Sequence, residues 1–249
     1  MKVTVVIPVY NGSKFLQNAI DSVVEQSYSD DIYIIVVNDG STDNTADILR
    51  SYENQITVFT KENGGTSDAW NYVLPLIETE YVFGLDADDE FIPETVSRVM
   101  QCLSKNPESD LIYSDFVFID AQGQEQKIVQ NPDCTSPQDA IQRLIKLHDR
   151  LGQANNFLPF GHVRLYKIAS LLKINGYDTR YKYAEDFDLV LRLAEAGFIF
   201  QRVNGVLYRY RWHTTNKGIT NRLQQKEEVR FSVKLFSQRN RESIRYDRY

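Results

Sequence analysis

The stretch FGLDADDEF, residues 83–91, joins a short apolar run to four acidic side chains. Carboxylates crowded in this way repel one another and cost stability unless a positive charge lies among them. Asp86 and Asp88 are two residues apart on what reads as extended chain, so their side chains share one face. Two oxygen ligands at the end of a strand suit Mg²⁺ or Mn²⁺ held partly by substrate phosphates. The stretch predicts a buried strand that ends at a divalent metal site, although Asp-x-Asp alone also occurs in many solvated loops.

Three further apolar runs precede this strand: KVTVVIPV, IYIIVVND and ITVFTK. They are short and rich in β-branched residues, as is typical of strands that are covered on both faces. Helical patterns separate the runs: SKFLQNAIDSVVEQ, which we expect to begin at a capping Ser13, then TSDAWNYVLPLIE, and PETVSRVMQCLSK after the fourth strand. Strands that alternate with helices predict an α/β fold with a mainly parallel, Rossmann-like sheet flanked by helices.

The composition is that of a folded protein, since 42% of the 249 residues are hydrophobic. Cys102 and Cys134 form no Cys-x-x-Cys motif, and no segment approaches the ~18 apolar residues of a membrane span. We therefore expect a reduced, cytoplasmic protein whose membrane contact, if any, is peripheral. The net charge of −6 argues against nucleic acid as a partner.

Ligands of such sheets bind beyond the carboxyl ends of the strands. The four strand ends read PVYNGS, NDGSTD, ENGGTSD and DADDEF, so polar and acidic residues collect at one edge. The first of these loops lacks G-x-G-x-x-G, which disfavours a dinucleotide site of the dehydrogenase type. Asp39 is either a ligand-binding residue or simply a turn-forming residue before Gly40.

Five segments follow one another along the chain: VVIPVYNGSKFLQNAIDSVVEQSY, IIVVNDGSTDNTADIL, NGGTSDAWN, GLDADDEF and YAEDFDLVLRLAEAG. In combination, they resemble the family-2 glycosyltransferases of the GT-A fold, in that family's order and spacing. The resemblance covers roughly residues 1–100 and 180–200. It implies transfer of a sugar from a nucleoside diphosphate, usually with inversion. Asp186 would be the general base, and Asp39 would read uracil, which favours UDP.

The resemblance also assigns binding roles. The candidate substrate-binding residues are Pro8, Val9, Tyr10, Asn11, Asp39, Gly65, Asp86, Ala87, His162, Glu185 and Arg211. Asp88 and His213 are the candidate ligands of Mn²⁺ or Mg²⁺, with Asp88 favoured over Asp89 because it shares a face with Asp86. His162 is equally well explained as an acceptor contact or as an ordinary half-buried histidine. His213 and its neighbour Trp212 are alternatively just the end of an edge-like strand, with Arg211 among the residues that bind the diphosphate.

Two further points concern Asp186 and Trp70. Asp186 lies where AEDFDLVLRLAEAG begins a helix, whose positive end favours the ionised carboxylate and predicts a weak base. Glu185 and Asp186 could alternatively do no more than complement the helix dipole. Trp70 stands where many members of the family carry Arg, so it is either part of the core or a departure from the family's binding site.

We predict a catalytic domain over residues 1–215, with a nucleotide-binding half at about 1–106 and an acceptor-side half at about 107–215. The acceptor side should include a hairpin in DLIYSDFVFIDAQGQEQ and a helix capped by Ser136 in SPQDAIQRLIKLH. Residues 216–249 form a predicted basic helical tail, because residues 201–249 hold 12 Lys and Arg against 4 Asp and Glu. The tail could contact an anionic membrane, pack on the protein's own body, or join a second subunit in a homodimer.

The predicted function is inverting, metal-dependent transfer of a hexose or N-acetylhexosamine from UDP to a hydroxyl of a saccharide or lipid-linked acceptor. The alternatives are a polyprenyl-phosphate glycosyltransferase and a non-catalytic sugar-nucleotide-binding module. A receiver domain, which also has an acidic pocket, is disfavoured because it is usually about half this length and would have no use for the second acidic motif. A non-catalytic module would be expected to lose Asp186 or the pair Asp86 and Asp88.

Overall fold

The computed structural model describes residues 1–28, 30–149, 158–214, 216 and 220–246. The strands are β1 (Val3–Val9), β2 (Ile32–Asn38), β3 (Thr57–Thr60), β4 (Tyr81–Gly84), β5 (Glu90–Phe91), β6 (Leu111–Ile119), β7 (Glu125–Val129), β8 (Arg164–Lys167) and β9 (Phe200–Arg211). The α-helices are α1 (Leu16–Val24), α2 (Thr45–Ser51), α3 (Thr66–Val73), α4 (Thr95–Lys105), α5 (Pro137–Asp149), α6 (Ile168–Lys173), α7 (Glu185–Glu195) and α8 (Arg222–Tyr246). A single 3₁₀ turn, Leu74–Leu76, follows α3.

The described strands form one sheet in the order β3-β2-β1-β4-β8-β6-β9-β5, with β7 paired to β6. The first four strands in this order are parallel, and β8 then runs antiparallel to both β4 and β6. The predicted α/β fold is confirmed. Because β1, β2 and β4 run in one direction, their carboxyl ends meet at one edge of the sheet.

The acceptor-side strands differ from the prediction in one respect. We expected β9 to be an edge strand, but it pairs with β6 along much of its length and with β5 on its other side. The long-range pairing of β9 with β6 is parallel. Strand β9 therefore lies inside the sheet and reaches the same edge as the acidic loop after β4.

Apolar clusters cover both faces of the sheet. Val5 and Ile7 of β1 belong to one cluster and Val6 to the other, which explains the continuous apolar run in the sequence. Trp70 is only 3% exposed, and its ring stacks on that of Tyr177 at a centroid distance of 5.4 Å. This burial confirms the core interpretation of Trp70.

The local predictions of helix starts divide into one success and one error. Ser136 caps α5, since its Oγ accepts a hydrogen bond from the amide of Asp139 at 3.1 Å. Ser13 does not cap α1, which begins at Leu16. The amide of Ser13 instead donates to Oδ2 of Asp43 at 3.0 Å, so Ser13 ties the loop after β1 to the loop after β2. The predicted hairpin is present as β6 and β7.

The basic tail forms α8, which packs on the protein's own body. Val229 is 3% exposed, and Ser232 Oγ donates a hydrogen bond to Oδ1 of Asp188 on α7 at 2.9 Å. Arg239 forms an ion pair with Glu195 at 2.6 Å. Contacts of the tail with a membrane or a second subunit stay predictions. None of the described helices combines the length and the apolar character that a transmembrane segment requires.

Replacement of Val229 by alanine tests the docking of α8. Val229→Ala removes two buried methyl groups, so we expect a loss of roughly 1–3 kcal/mol in the free energy of unfolding, measured by denaturant titration. Leu223→Ala is the matched control on the same helix, because Leu223 is 73% exposed and its truncation should cost little. Equal effects of the two substitutions would contradict the docked position of α8.

Candidate active site

The loops after β1 and β2 are tied to each other at the carboxyl edge of the sheet. The loop after β1 is joined to the loop after β2 by hydrogen bonds from the Asn11 amide to Ser41 Oγ, at 2.9 Å, and from the Thr42 amide to Asn11 Oδ1, at 2.8 Å. Asn11 has a φ of 51°, in the left-handed region that asparagine tolerates better than most residues. The next residue toward the strand, Tyr10, is 50% exposed. A rigid, partly aromatic surface thus lies at the predicted donor-binding edge.

Asp39, the first residue after β2, organises the loop that follows β3, residues 61–65. It is 3% exposed, and its carboxylate accepts hydrogen bonds from the amides of Gly64, at 2.9 Å, and Gly65, at 2.7 Å. Lys61 Nζ lies 2.9 Å from the same carboxylate. Gly65 has a φ of 90°, a conformation that favours glycine. Asp39 therefore shapes residues 61–65 directly, and its predicted contact with a nucleotide base stays a prediction.

The acidic run after β4 is divided between the surface and the interior. The side chains of Asp86 and Asp88 are 39% and 35% exposed, respectively. Asp89 is 1% exposed and accepts hydrogen bonds from the Arg211 amide, at 2.7 Å, and the Tyr208 hydroxyl, at 2.8 Å. Burial, followed by the charges of Asp88 and Asp86, raises the pKa of Asp89 well above its ordinary value. Asp88 is therefore the more accessible carboxylate of the two, and its choice over Asp89 as a metal ligand stays a prediction.

Each accessible carboxylate of the run has a positive or imidazole partner. Arg164 of β8 is 7% exposed and donates from Nη2 to Oδ2 of Asp86 at 2.8 Å. His213 Nε2 lies 2.9 Å from Oδ2 of Asp88. These partners relieve the repulsion that the sequence FGLDADDEF implied. Arg164 was not among the predicted residues, although a charged residue between the apolar Val163 and Leu165 at the start of a strand is a signal that could have found it.

His213 and Asp88 together have the chemistry of a partial metal site. The ring of His213 is held 5.0 Å from that of Phe15, and its backbone amide donates to Oδ1 of Asn216 at 2.6 Å. One imidazole nitrogen and one carboxylate oxygen thus face each other at hydrogen-bond distance. Within the described part of the chain, no group of three or more His, Cys, Asp or Glu side chains could hold a metal ion. The pair would suit a divalent cation if a bound diphosphate and water supplied the remaining ligands, and its predicted role as a metal site stays a prediction.

The prediction for Arg211 requires a correction, because its side chain is buried and its guanidinium is bonded to the protein itself. The residue is 2% exposed, and its Nε and Nη1 donate to the carbonyl oxygens of Asp88, at 2.9 Å, and Asp120, at 3.0 Å. Its Nη2 pairs with Glu90. The predicted substrate contact of Arg211 is wrong in this structure. Arg211 instead fastens the acidic loop to β9, an arrangement that depends on tertiary contacts and leaves no local pattern in the sequence.

Asp186 is the second residue of α7, and Glu185 is the first. The carboxylate of Asp186 accepts a hydrogen bond from the Phe187 amide at 2.7 Å. Burial raises its pKa above the ordinary value, while the charge of Arg164 lowers it and that of Asp86 raises it. The expectation of a weak base was wrong in direction, since burial raises the pKa of Asp186 more than the charge of Arg164 and the hydrogen bond from the Phe187 amide lower it. Arg164 connects the two carboxylates, by a hydrogen bond to Asp86 and by its charge to Asp186.

His162 lies two residues before Arg164, in an aromatic environment. Its ring stacks on Tyr208 at 4.8 Å and lies 4.5 Å from Phe116 and 5.0 Å from Tyr210. Burial and the charge of Arg164 lower the pKa of His162 well below its ordinary value, so the ring is neutral near pH 7. Its predicted role as an acceptor contact stays a prediction. The remaining predicted donor residues, Pro8, Val9 and Ala87, lie on or beside the ends of β1 and β4.

Comparison with known proteins identifies relatives and structures of the same fold. Residues 4–128 match the family model described as glycosyl transferase family 2. An uncharacterized glycosyltransferase of Rickettsia typhi is 34% identical over 231 residues, which are 91% of this chain and 70% of the relative. TarS of S. aureus, in complex with UDP-GlcNAc, aligns with a TM-score of 0.69 and 21% identity over 87% of this chain and 60% of that chain.

A second solved structure is the mannosyltransferase PcManGT from Pyrobaculum calidifontis, in complex with GDP-Man and Mn²⁺. It aligns with a TM-score of 0.64 and 18% identity over 90% of this chain and 60% of that chain. At such identities the two structural likenesses show the fold alone. The family match and the Rickettsia typhi relative confirm what the sequence motifs predicted: the chain belongs to glycosyl transferase family 2 and is a glycosyltransferase with the GT-A fold.

Proposed function

We propose that this glycosyltransferase moves a hexose or N-acetylhexosamine from UDP to an acceptor hydroxyl, with inversion and with the help of a divalent metal ion. One observation carries the proposal. Asp88 Oδ2 and His213 Nε2 lie 2.9 Å apart beyond the end of β4, and Arg164 bonds to the neighbouring Asp86 and acts by its charge on the separate carboxylate of Asp186. An inverting transfer needs these two sets of groups, one for the departing diphosphate and one for the attacking hydroxyl.

The donor side is the edge formed by the ends of β1, β2 and β4. Exposed Tyr10 and the tied loops around Asn11 and Asp39 provide a rigid surface for a nucleoside. The choice of UDP is supported by the motif at Asp39 and by the likeness to TarS, whose structure contains UDP-GlcNAc. PcManGT, which has a similar fold, contains GDP-Man, so the base is a matter for direct measurement.

The metal would be held by Asp88 and His213. When bound, it supplies Lewis-acid stabilisation to the departing phosphate oxygen. Imidazole suits Mn²⁺ better than Mg²⁺, so we expect a preference for Mn²⁺. Asp89 takes no part in this site because its carboxylate is buried against Tyr208 and the Arg211 amide. The structure of PcManGT, which has a similar fold and contains Mn²⁺, supports this assignment.

The proton of the acceptor hydroxyl would go to Asp186. A carboxylate with a raised pKa is a stronger base than an exposed aspartate, and proton transfer to it is therefore more favourable. The positive charge of Arg164 opposes the effect of burial, so it favours the ionised, proton-accepting form of Asp186. The acceptor itself is a saccharide or a lipid-linked carrier. A polyprenyl phosphate acceptor is the alternative, and it would present a phosphate oxygen rather than a hydroxyl.

A thermal-shift panel tests the donor and the metal together. UDP, GDP and their sugar derivatives should be titrated with and without Mn²⁺, because a ligand that binds the native state stabilises it by about 2.7 kcal/mol at a hundred times its Kd. We expect UDP compounds to stabilise the protein most, and to do so more strongly with Mn²⁺. Asp88→Ala and His213→Ala should remove the Mn²⁺-dependent part of the shift.

Glu78→Ala is the control for this panel, because Glu78 is an exposed acidic residue just before the start of β4, at the opposite end of that strand from the acidic loop. It should respond to UDP and Mn²⁺ as the unaltered protein does. A full Mn²⁺-dependent shift in Asp88→Ala would exclude Asp88 as a ligand. If no nucleotide stabilised the protein with any metal, the proposed donor class would be wrong.

Asp186→Asn tests the general base. The substitution keeps the side-chain volume and removes proton acceptance, so kcat should fall roughly a hundredfold or more while the affinity for UDP changes little. Glu78→Gln is the control, because Glu78 is an exposed carboxylate just before β4, outside α7 and its contacts with α8. In the unaltered enzyme, the acidic limb of the pH profile of kcat/KM should lie above the ordinary aspartate pKa of 3.8, since burial raises the pKa of Asp186. Comparable turnover by Asp186→Asn would exclude Asp186 as the base.

A further inference from the structure

A carboxylate of the C-terminal helix α8 binds the backbone just before Asp186. Oε2 of Glu228 accepts hydrogen bonds from the amides of Lys182, at 3.0 Å, Tyr183, at 2.8 Å, and Ala184, at 3.0 Å. Three consecutive amides thus converge on one oxygen. This arrangement resembles the way in which backbone amides bind an anion, except that the anion here belongs to the same chain.

The position of these amides gives the contact its importance. Ala184 is the N-cap residue of α7, and no side chain of its own caps the helix. The first amides of a helix have no partner within the helix and require one from elsewhere. Glu228 supplies part of this function from a distance of 44 residues along the chain. Asp186 follows Ala184 by two residues, so the backbone that carries the proposed base is fixed by α8.

Helix α8 is held in register with α7 by two further contacts. Ser232 bonds to Asp188, and Arg239 pairs with Glu195. Each of these pairs is separated by 44 residues, as Glu228 and Ala184 are. A constant separation means that the two helices run in the same direction with a fixed alignment. The carboxylate of Glu228 is therefore presented to the amides by a helix that is anchored independently of it.

We propose that Glu228 is a positioning residue for catalysis: it captures the amides of residues 182–184 and thereby holds Asp186 in its reactive position. The proposal rests on the assignment of Asp186 as the general base. It gives the basic tail a role in the reaction that does not involve a membrane or a second subunit. Because the donor loops lie on the ends of β1, β2 and β4, loss of Glu228 should affect turnover far more than donor binding.

Amide hydrogen exchange directly measures how well Glu228 protects the amides of residues 182–184, and it requires no substrate. In Glu228→Ala, exchange in the segment 182–187 should accelerate by roughly tenfold or more, because three amides lose their acceptor. Glu228→Gln keeps one carbonyl oxygen at this position and should give an intermediate rate. Glu227→Ala is the matched control, since Glu227 is the exposed neighbour on the same helix. In this variant, exchange in the segment 182–187 should match that of the unaltered protein. Unchanged exchange in Glu228→Ala would overturn the proposal.

Kinetics then separate positioning from general stability. With UDP-GlcNAc, Mn²⁺ and water as the acceptor, and with UDP release as the readout, kcat of Glu228→Ala should fall about 10- to 100-fold, since a displacement of the base by 1 Å is enough for such a loss. The Kd for UDP should change less than about twofold, and Glu228→Gln should recover part of kcat. A proportional loss of UDP affinity, or a kcat equal to that of Glu227→Ala, would overturn the positioning role.

Asp186→Asn is measured in the same assay to distinguish failure of this proposal from failure of the proposed base. If Asp186→Asn turns over normally while Glu228→Ala does not, the base assignment fails and positioning of Asp186 fails with it. If Asp186→Asn is impaired and Glu228→Ala is not, the base assignment stands and only the role of Glu228 is refuted. Impairment of both, together with faster exchange in residues 182–187, supports the two together.

Discussion

The acidic end of β4 must be neutralised, and the architecture of the site follows from the way this is done. Asp86 has Arg164, Asp88 has His213, and Glu90 has Arg211 as its partner. Arg164 lies on β8, Arg211 on β9 and His213 in the segment after β9. These three parts of the chain must therefore lie beside β4 and β5. The partners hold these carboxylates in fixed orientations at the edge of the sheet, where unpaired ones would repel one another.

The same arrangement divides the acidic residues by role. Asp89 is turned inward and hydrogen-bonded, so it serves to attach the loop to β9. Asp86 and Asp88 stay accessible to a ligand. Arg164 is hydrogen-bonded to Asp86 and also acts electrostatically on Asp186, so it links the donor side to the proposed base. A change in charge at Arg164 would therefore affect both sides of the cleft at once.

Local patterns predicted the parts of the structure that depend on nearby residues. The strands β1 to β4, the hairpin of β6 and β7, and the cap at Ser136 follow from periodicity and turn chemistry in short segments. The errors concern residues whose environment is made by distant parts of the chain. Ser13 bonds to Asp43 instead of capping α1, and Arg211 is buried against the acidic loop. The pKa direction of Asp186 failed for the same reason, because burial by other elements is not visible in its own helix.

The distances along the chain between the acidic run and its partners also constrain the order of folding. Asp86 and Arg164 are 78 residues apart, and Asp88 and His213 are 125 residues apart. Closing loops of this length costs conformational entropy before the contacts form, and such non-local contacts slow folding. The parallel strands β1 to β4 can therefore assemble before their acidic end meets Arg164 and His213. During synthesis, the set of partners of the acidic run is complete only after β9 and the segment that carries His213 have left the ribosome.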